Sequence, residues 1–208
     1  MATMINGFFP GELKPSATVA GCIEIFESAW PEPQQTITRV EQEVQRIDSS
    51  VYWQRATTIG QGTDQNIRTN YMLAITELAR TENNALLQNI HNQFNMLLLA
   101  TTVGYAQRHG LETAMWHEPY GLLKYSGGEQ YKAHYDGASE TGRAVSAITY
   151  LNSNYVGGEL EFPNFRVKIK PEPGMLILFP SNFAYQHIAH PVTEGTKYAL
   201  VTWLKDRQ

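Results

Sequence analysis

The 208 residues contain one cysteine, Cys22. A single thiol closes no disulfide within the chain and cannot build a cysteine-rich zinc site, which favours a reducing compartment. Charge is also scarce: charged residues make up 17% and the net charge is −4. No clustered basic surface is suggested, so no nucleic-acid partner is expected. Long apolar runs are missing too. The most apolar stretch, MLLLATTV from Met96, is far too short to span a bilayer, and MATMINGFFPG lacks the basic-then-apolar order of a signal peptide. These absences predict a cytoplasmic protein with no membrane contact. Sixteen glycines and ten prolines are too few for disorder, while 42% hydrophobic residues can fill one domain core.

The two halves differ in texture. Up to about residue 110 the pattern is helical. Ser16 is placed to cap a helix running to Trp30, with Pro31 and Pro33 ending it. Thr38 and Glu41 have capping-box spacing for a helix through Val44 and Ile47. From Ala85 to Arg108, Leu86, Leu87, Ile90, Phe94, Leu97, Leu98 and Tyr105 recur at helical spacing, and Gly110 is placed to end that helix. From residue 111 the pattern becomes short strands: LLKYS, QYKAHYD, VSAITYLN, ELEFP, RVKIK, MLILF and YALVTWL. Gly- and Pro-containing turns separate them, as in a sandwich or barrel. The expectation is one α+β domain over 1–208, with helical support over 1–110 and an antiparallel core over 111–208.

The chemistry concentrates in YKAHYDG, residues 131–137. On an extended strand, His134 and Asp136 project to one face, with Tyr135 on the other. An imidazole and a carboxylate aimed at one point suit a first-row metal, but two ligands are too few. HIAHPV offers His187 and His190 as the third. Two histidines and one carboxylate on one side of a metal form the facial triad of non-haem Fe(II) oxygenases. Lys197 follows His187 by ten residues in the apolar strand TKYALVTWL, where burial of an ammonium calls for an anion.

Residues 120–204 resemble the catalytic core of the Fe(II)/2-oxoglutarate-dependent dioxygenases, and within them the prolyl 4-hydroxylases of the short bacterial and viral type. The stretches that carry the resemblance are KYSGGEQYKAHYDG, GRAVSAITYLN, GGELEFP, VKIKPEPGMLILFPS and HIAHPVTEGTKYALVTWL, with a weaker match at IRTN. The resemblance implies a double-stranded β-helix, or jelly roll. It implies His134, Asp136 and His187 as iron ligands, and Lys197, Thr149 and Tyr125 around the distal carboxylate of 2-oxoglutarate. Tyr131, Arg143 and Trp203 fall at pocket or substrate positions. His190 departs from the pattern, which usually has cysteine there; the interval to Lys197 favours His187 as ligand and leaves His190 near the barrel mouth.

The implied activity couples oxidative decarboxylation of 2-oxoglutarate by Fe(II) and O2 to hydroxylation of a prolyl residue in a peptide or protein, with ascorbate supporting turnover. Alternatives are an oxygenase acting on a free amino acid or small molecule, and a non-catalytic jelly-roll binding module. GASETG at 137–142 and GQGTDQN at 60–66 are candidate lids.

Overall fold

A computed structural model describes residues 11–46, 52–57, 64, 66–81, 84–111, 115–138 and 140–205. Two antiparallel sheets face each other. The large one runs β1 (Ala17–Val19), β2 (Ile23–Phe26), β12 (Leu176–Pro180), β8 (Arg143–Tyr150), β14 (Val192–Lys205), β6 (Gly121–Ser126), β4 (Tyr71–Leu73), β3 (Gln54–Arg55). Two short strands, β5 (Trp116–His117) and β9 (Tyr155–Gly157), add to the ends of β14. The small sheet runs β11 (Val167–Ile169), β10 (Leu160–Phe162), β13 (His187–Ala189), β7 (Tyr131–His134). This is the expected jelly-roll architecture.

Alternation along the strands of the large sheet creates two apolar layers. In β12, Leu176 and Leu178 face the helices, while Ile177 and Phe179 face the small sheet. The outer layer receives α1 (Pro33–Arg46), α2 (Ile75–Thr81) and α3 (Ala85–His109). Phe94 and Leu97 of α3 are fully buried there. Burial of each such side chain contributes about 2–3 kcal/mol, and truncating Leu97 to Ala would cost about 2–5 kcal/mol. The caps of α3 are visible in its sequence. The Asn84 side chain accepts from the backbone N–H groups of Leu86 and Leu87, and Gly110 closes the helix with φ 67°, a left-handed conformation that favours glycine. No helix among the described residues is long and apolar enough to cross a membrane.

The expected helix from Ser16 to Trp30 is instead the β1–β2 hairpin, turning at Ala20 and Gly21 with positive φ. Its β2 strand is paired on its other edge with β12, some 150 residues away in sequence, and that pairing decides the conformation. Pro33 does not end a helix; it starts α1, where its missing N–H costs nothing. Thr38 consequently lies inside α1, its hydroxyl donating to the Gln34 carbonyl, and does not cap it. Ile47 lies outside the described residues. Among its described residues, the N-terminal half therefore contributes four strands, β1 to β4, as well as helices.

Candidate metal centre

β7 and β13 are adjacent antiparallel strands, and their register sets His134 directly opposite His187. Cross-strand partners share a face, so the two imidazoles meet with ring centroids 4.2 Å apart. Each ring is oriented by its own backbone. Nδ1 of His134 lies 2.7 Å from the Lys132 carbonyl, and Nδ1 of His187 lies 3.1 Å from the Tyr185 carbonyl. A carbonyl only accepts, so Nδ1 carries the proton in both rings, and each Nε2 lone pair points at the shared space.

Asp136 completes the group. The pairing of β7 stops at His134, so Asp136 sits in a bend rather than on the strand as the alternation argument assumed. The bend is fixed by a 2.7 Å bond from the Gly137 N–H to the Ser181 carbonyl. The Ser146 hydroxyl donates to Oδ2 of Asp136 at 2.6 Å, leaving Oδ1 3.7 Å from Nε2 of His134 and Oδ2 3.6 Å from Nε2 of His187. One ligand atom from each of the three residues lies within 4.8 Å of the others, so together they could hold a metal ion. Burial, reinforced by His187, pushes the His134 imidazole down to about 3, which keeps it a neutral ligand. Burial alone would raise the Asp136 carboxyl; the two imidazoles and the Ser146 hydroxyl outweigh it and hold the group below its ordinary value.

Lys197 lies on the β14 face that also carries Ala199, Val201 and Trp203, and it shares a cavity with the triad. Its side chain is 98% buried, and its ammonium donates to the Gly158 carbonyl at 2.5 Å. Among the described residues it contacts no carboxylate. Burial pushes its pKa down to about 7, against a smaller opposing pull from Glu159. Tyr125, directly opposite on β6, and Tyr150 on β8 place their rings 5.4 and 5.0 Å from Nζ.

The structure corrects one expectation here. Thr149 does not line this cavity. It is paired with Leu176 and Leu200, both in the helix-side layer, so its side chain points away from Lys197. Its neighbours Ile148 and Tyr150 have the opposite parity and line the cavity. Tyr150 is the hydroxyl-bearing residue of β8 that reaches the lysine side.

A wider mouth of about 500 Å³ adjoins the triad and is lined by Arg68, Glu118, Tyr131, Tyr135, Arg143 and Trp203 among others. Arg143 is engaged rather than free. It forms a two-pronged pair with Glu118 at 3.0 and 2.5 Å, donates to the Asp136 carbonyl at 3.3 Å, and lies 3.6 Å over the Trp203 ring. Tyr131 stacks on His134 at 3.4 Å and carries the Arg68 guanidinium on its ring at 4.7 Å. The indole N–H of Trp203 is buried without a hydrogen-bond partner among the described residues. His190 is not part of the triad and lies 2.6 Å from Glu161. Of the two candidate lids, residue 139 and most of 60–66 lie outside the described residues.

Arg68, Glu118, Ser146 and Tyr150 stand at the site and carried no assigned role in the sequence reading. Ser146 and Tyr150 share the strand parity of Ile148, so the period-two rule applied to VSAITYLN could have found them. Arg68 and Glu118 lie in irregular segments without that period; for Arg68 the weaker match at IRTN was the available signal.

The fold and the ligand geometry together define a class. Residues 120–205, which contain the whole triad and Lys197, match the family model of the 2OG-Fe(II) oxygenase superfamily. Over 171 residues the chain is 26% identical to an Acanthamoeba polyphaga mimivirus protein bearing the name prolyl 4-hydroxylase, a match that takes in 71% of this chain and spans 62% of the relative's length. Among solved structures, a prolyl hydroxylase of Trichoplax adhaerens, in complex with a hypoxia inducible factor oxygen degradation domain peptide fragment, superposes with a TM-score of 0.70. It shows 21% identity and covers 90% of this chain and 84% of that one. A Pseudomonas putida prolyl-4-hydroxylase gives a TM-score of 0.65 at 21% identity, covering 91% and 95%.

Proposed function

We propose that the protein is an Fe(II)- and 2-oxoglutarate-dependent dioxygenase that hydroxylates prolyl residues in a peptide or protein, and that the helical part of the chain serves as support for that one catalytic unit. One observation carries the reading. A single cavity is lined by three residues with convergent ligand atoms and by a buried ammonium that, among the described residues, has no carboxylate against it. A dicarboxylate with one end on a metal and the other on Lys197 complements those two features.

The residues fit both groups. The two imidazoles of His134 and His187 and the carboxylate of Asp136 would hold a ferrous ion, and Lys197 would take the far carboxylate of 2-oxoglutarate. With those bound, the ion supplies oxidative decarboxylation of 2-oxoglutarate coupled to oxygen insertion into a C–H bond. The chain does the rest. His134, Asp136 and His187 fix the coordination geometry, and the Lys132 and Tyr185 carbonyls and the Ser146 hydroxyl hold those ligands in place. Lys197 donates to the distal carboxylate, with the Tyr150 and Tyr125 rings beside it shielding that bond from water. Tyr131 and Trp203 wall the mouth through which a substrate reaches the metal, and Arg143 braces Trp203 and the Asp136 backbone.

The choice of a prolyl substrate is supported by the mimivirus relative's name and by the peptide seated on the Trichoplax enzyme. The test is succinate release with Fe(II), 2-oxoglutarate and a library of proline-containing peptides, with the added oxygen located by mass spectrometry. Peptide-stimulated succinate and a hydroxyprolyl product support the reading. Absence of any 2-oxoglutarate turnover would return the chain to a binding module.

A further inference from the structure

Arg68 is a second buried cation beside the triad. It is 93% buried, and it lines both the inner cavity and the mouth. Its Nε–H donates to Oδ1 of Asn70 at 2.9 Å and one Nη1–H to the Thr57 carbonyl at 2.7 Å. Both acceptors are neutral. Nη2, the other prong of the fork, makes no hydrogen bond among the described residues, and no carboxylate there pairs with the guanidinium. The segment carrying it is held firmly along the free edge of β7: Arg68 bridges Tyr131, the Lys132 N–H donates to the Ile67 carbonyl at 2.9 Å, and the Thr69 N–H to the Gln130 carbonyl at 3.1 Å.

A buried guanidinium with two neutral acceptors is short of charge rather than short of hydrogen bonds. The carboxylates of the mouth are already committed. Glu118 is held by Arg143 and Lys205, and Asp136 faces the metal position. Once the site is charged with a divalent ion and 2-oxoglutarate, the ion is offset by Asp136 and one end of the dicarboxylate, and Lys197 by its other end. Among the described residues that line the site, Arg68 alone keeps an unmatched positive charge.

Resting on the prolyl hydroxylase reading above, we propose that Arg68 selects substrates carrying a carboxylate close to the target proline. The free prong and planar fork suit two-point recognition of that group. Its position sets the spacing. The guanidinium is separated from the His134 imidazole by two stacking distances, 4.7 Å to Tyr131 and 3.4 Å onward, which is within two or three residues of extended chain. The carboxylate is therefore an acidic side chain flanking the proline or the terminal carboxylate of a C-terminal or free proline.

The test measures succinate release by the full chain with Fe(II) and 2-oxoglutarate. The substrates are peptides with Glu or Gln beside proline, peptides ending in proline as acid or amide, and free proline. The expected result is a kcat/KM about ten- to hundredfold higher for the carboxylate member of at least one pair, the worth of a charged hydrogen bond. The pair showing it identifies the source. In Arg68→Gln that ratio falls to about one, and in Arg68→Lys, which keeps the charge without the fork, it is partly retained. The wild-type ratio is informative even if Arg68→Gln does not fold. Equal turnover within every pair overturns the inference and leaves the dioxygenase reading standing, as does an undiminished preference in Arg68→Gln. Failure of every prolyl compound to raise succinate release above the substrate-free rate defeats both.

Discussion

Lys197 ties the fold's stability and the proposed cosubstrate affinity to one proton. Its folded-state pKa near 7 lies below the ordinary lysine value of 10.5, so between those pH values the unfolded chain binds more protons than the folded one. Stability of the ligand-free protein therefore rises with pH across that window. Affinity for 2-oxoglutarate runs the other way. The dicarboxylate needs the ammonium, so its dissociation constant should increase by up to about tenfold per pH unit above pH 7. Calorimetric titration of 2-oxoglutarate into metal-loaded protein from pH 6.5 to 9 checks this, and a flat profile would mean that Lys197 stays charged in the empty cavity. Lys197→Ala should raise the KM for 2-oxoglutarate about ten- to hundredfold, the value of a charged hydrogen bond. Parity on β8 gives a sharper comparison. Tyr150→Phe should raise the same KM severalfold, because it removes the hydroxyl of a ring that stands 5.0 Å from Nζ on the cavity side. Thr149→Val should leave KM unchanged and stability equal or slightly higher, since it removes a buried hydroxyl with no partner. A KM raised by Thr149→Val and not by Tyr150→Phe would reverse the assignment of the two faces.

Elements differ in how much of themselves the sequence displays. α3 announces itself because everything that determines it is local: a 3.6-residue stripe, an Asn cap and a terminal glycine. β2 does not. Three of its four residues are buried and Ile25 partly so, with Ile23 toward the small sheet and Phe26 toward the helices, so they show no clean alternation. Its edge partner β12 lies far along the chain. Within β2, Glu24 is fully buried and reads as a helix-surface residue until its partners are known; Arg108 grips it at 2.8 Å through both prongs and His109 at 2.9 Å, both from the end of α3. Arg108→Ala should destabilise the fold by about 2–3 kcal/mol by leaving that carboxylate with one neighbour, measurable by urea unfolding. A change under about 0.5 kcal/mol would show that solvent already screens the pair. The ligand set was legible for a related reason. His134 and Asp136 are two residues apart, and the period of a strand nearly describes the bend that places them. The meeting of His134 with His187 depends on sheet register, which came from the family resemblance and from no local pattern.

At the scale of the whole molecule, the ligands straddle the fold. His134 and Asp136 come at the end of β7, His187 opens β13, and the Ser146 that holds Asp136 belongs to β8 in the other sheet. An unfolded chain separates these residues and loses the site, so metal binding acts as a clasp on the folded state alone. At a free metal concentration one hundred times the dissociation constant, the added stability is about 2.7 kcal/mol. For a chain of this length that corresponds to a rise in Tm of roughly 5–10 °C. Differential scanning calorimetry with Fe(II) under anaerobic conditions, or with Zn(II) as a redox-inert substitute, should show this rise. Asp136→Ala should abolish most of the rise together with 2-oxoglutarate turnover, while far-ultraviolet circular dichroism stays that of a folded protein. His190→Ala should keep both the rise and the turnover, because that imidazole is paired with Glu161 away from the triad. If removing His190 cancelled the thermal shift and removing Asp136 did not, the metal would lie elsewhere than between β7 and β13.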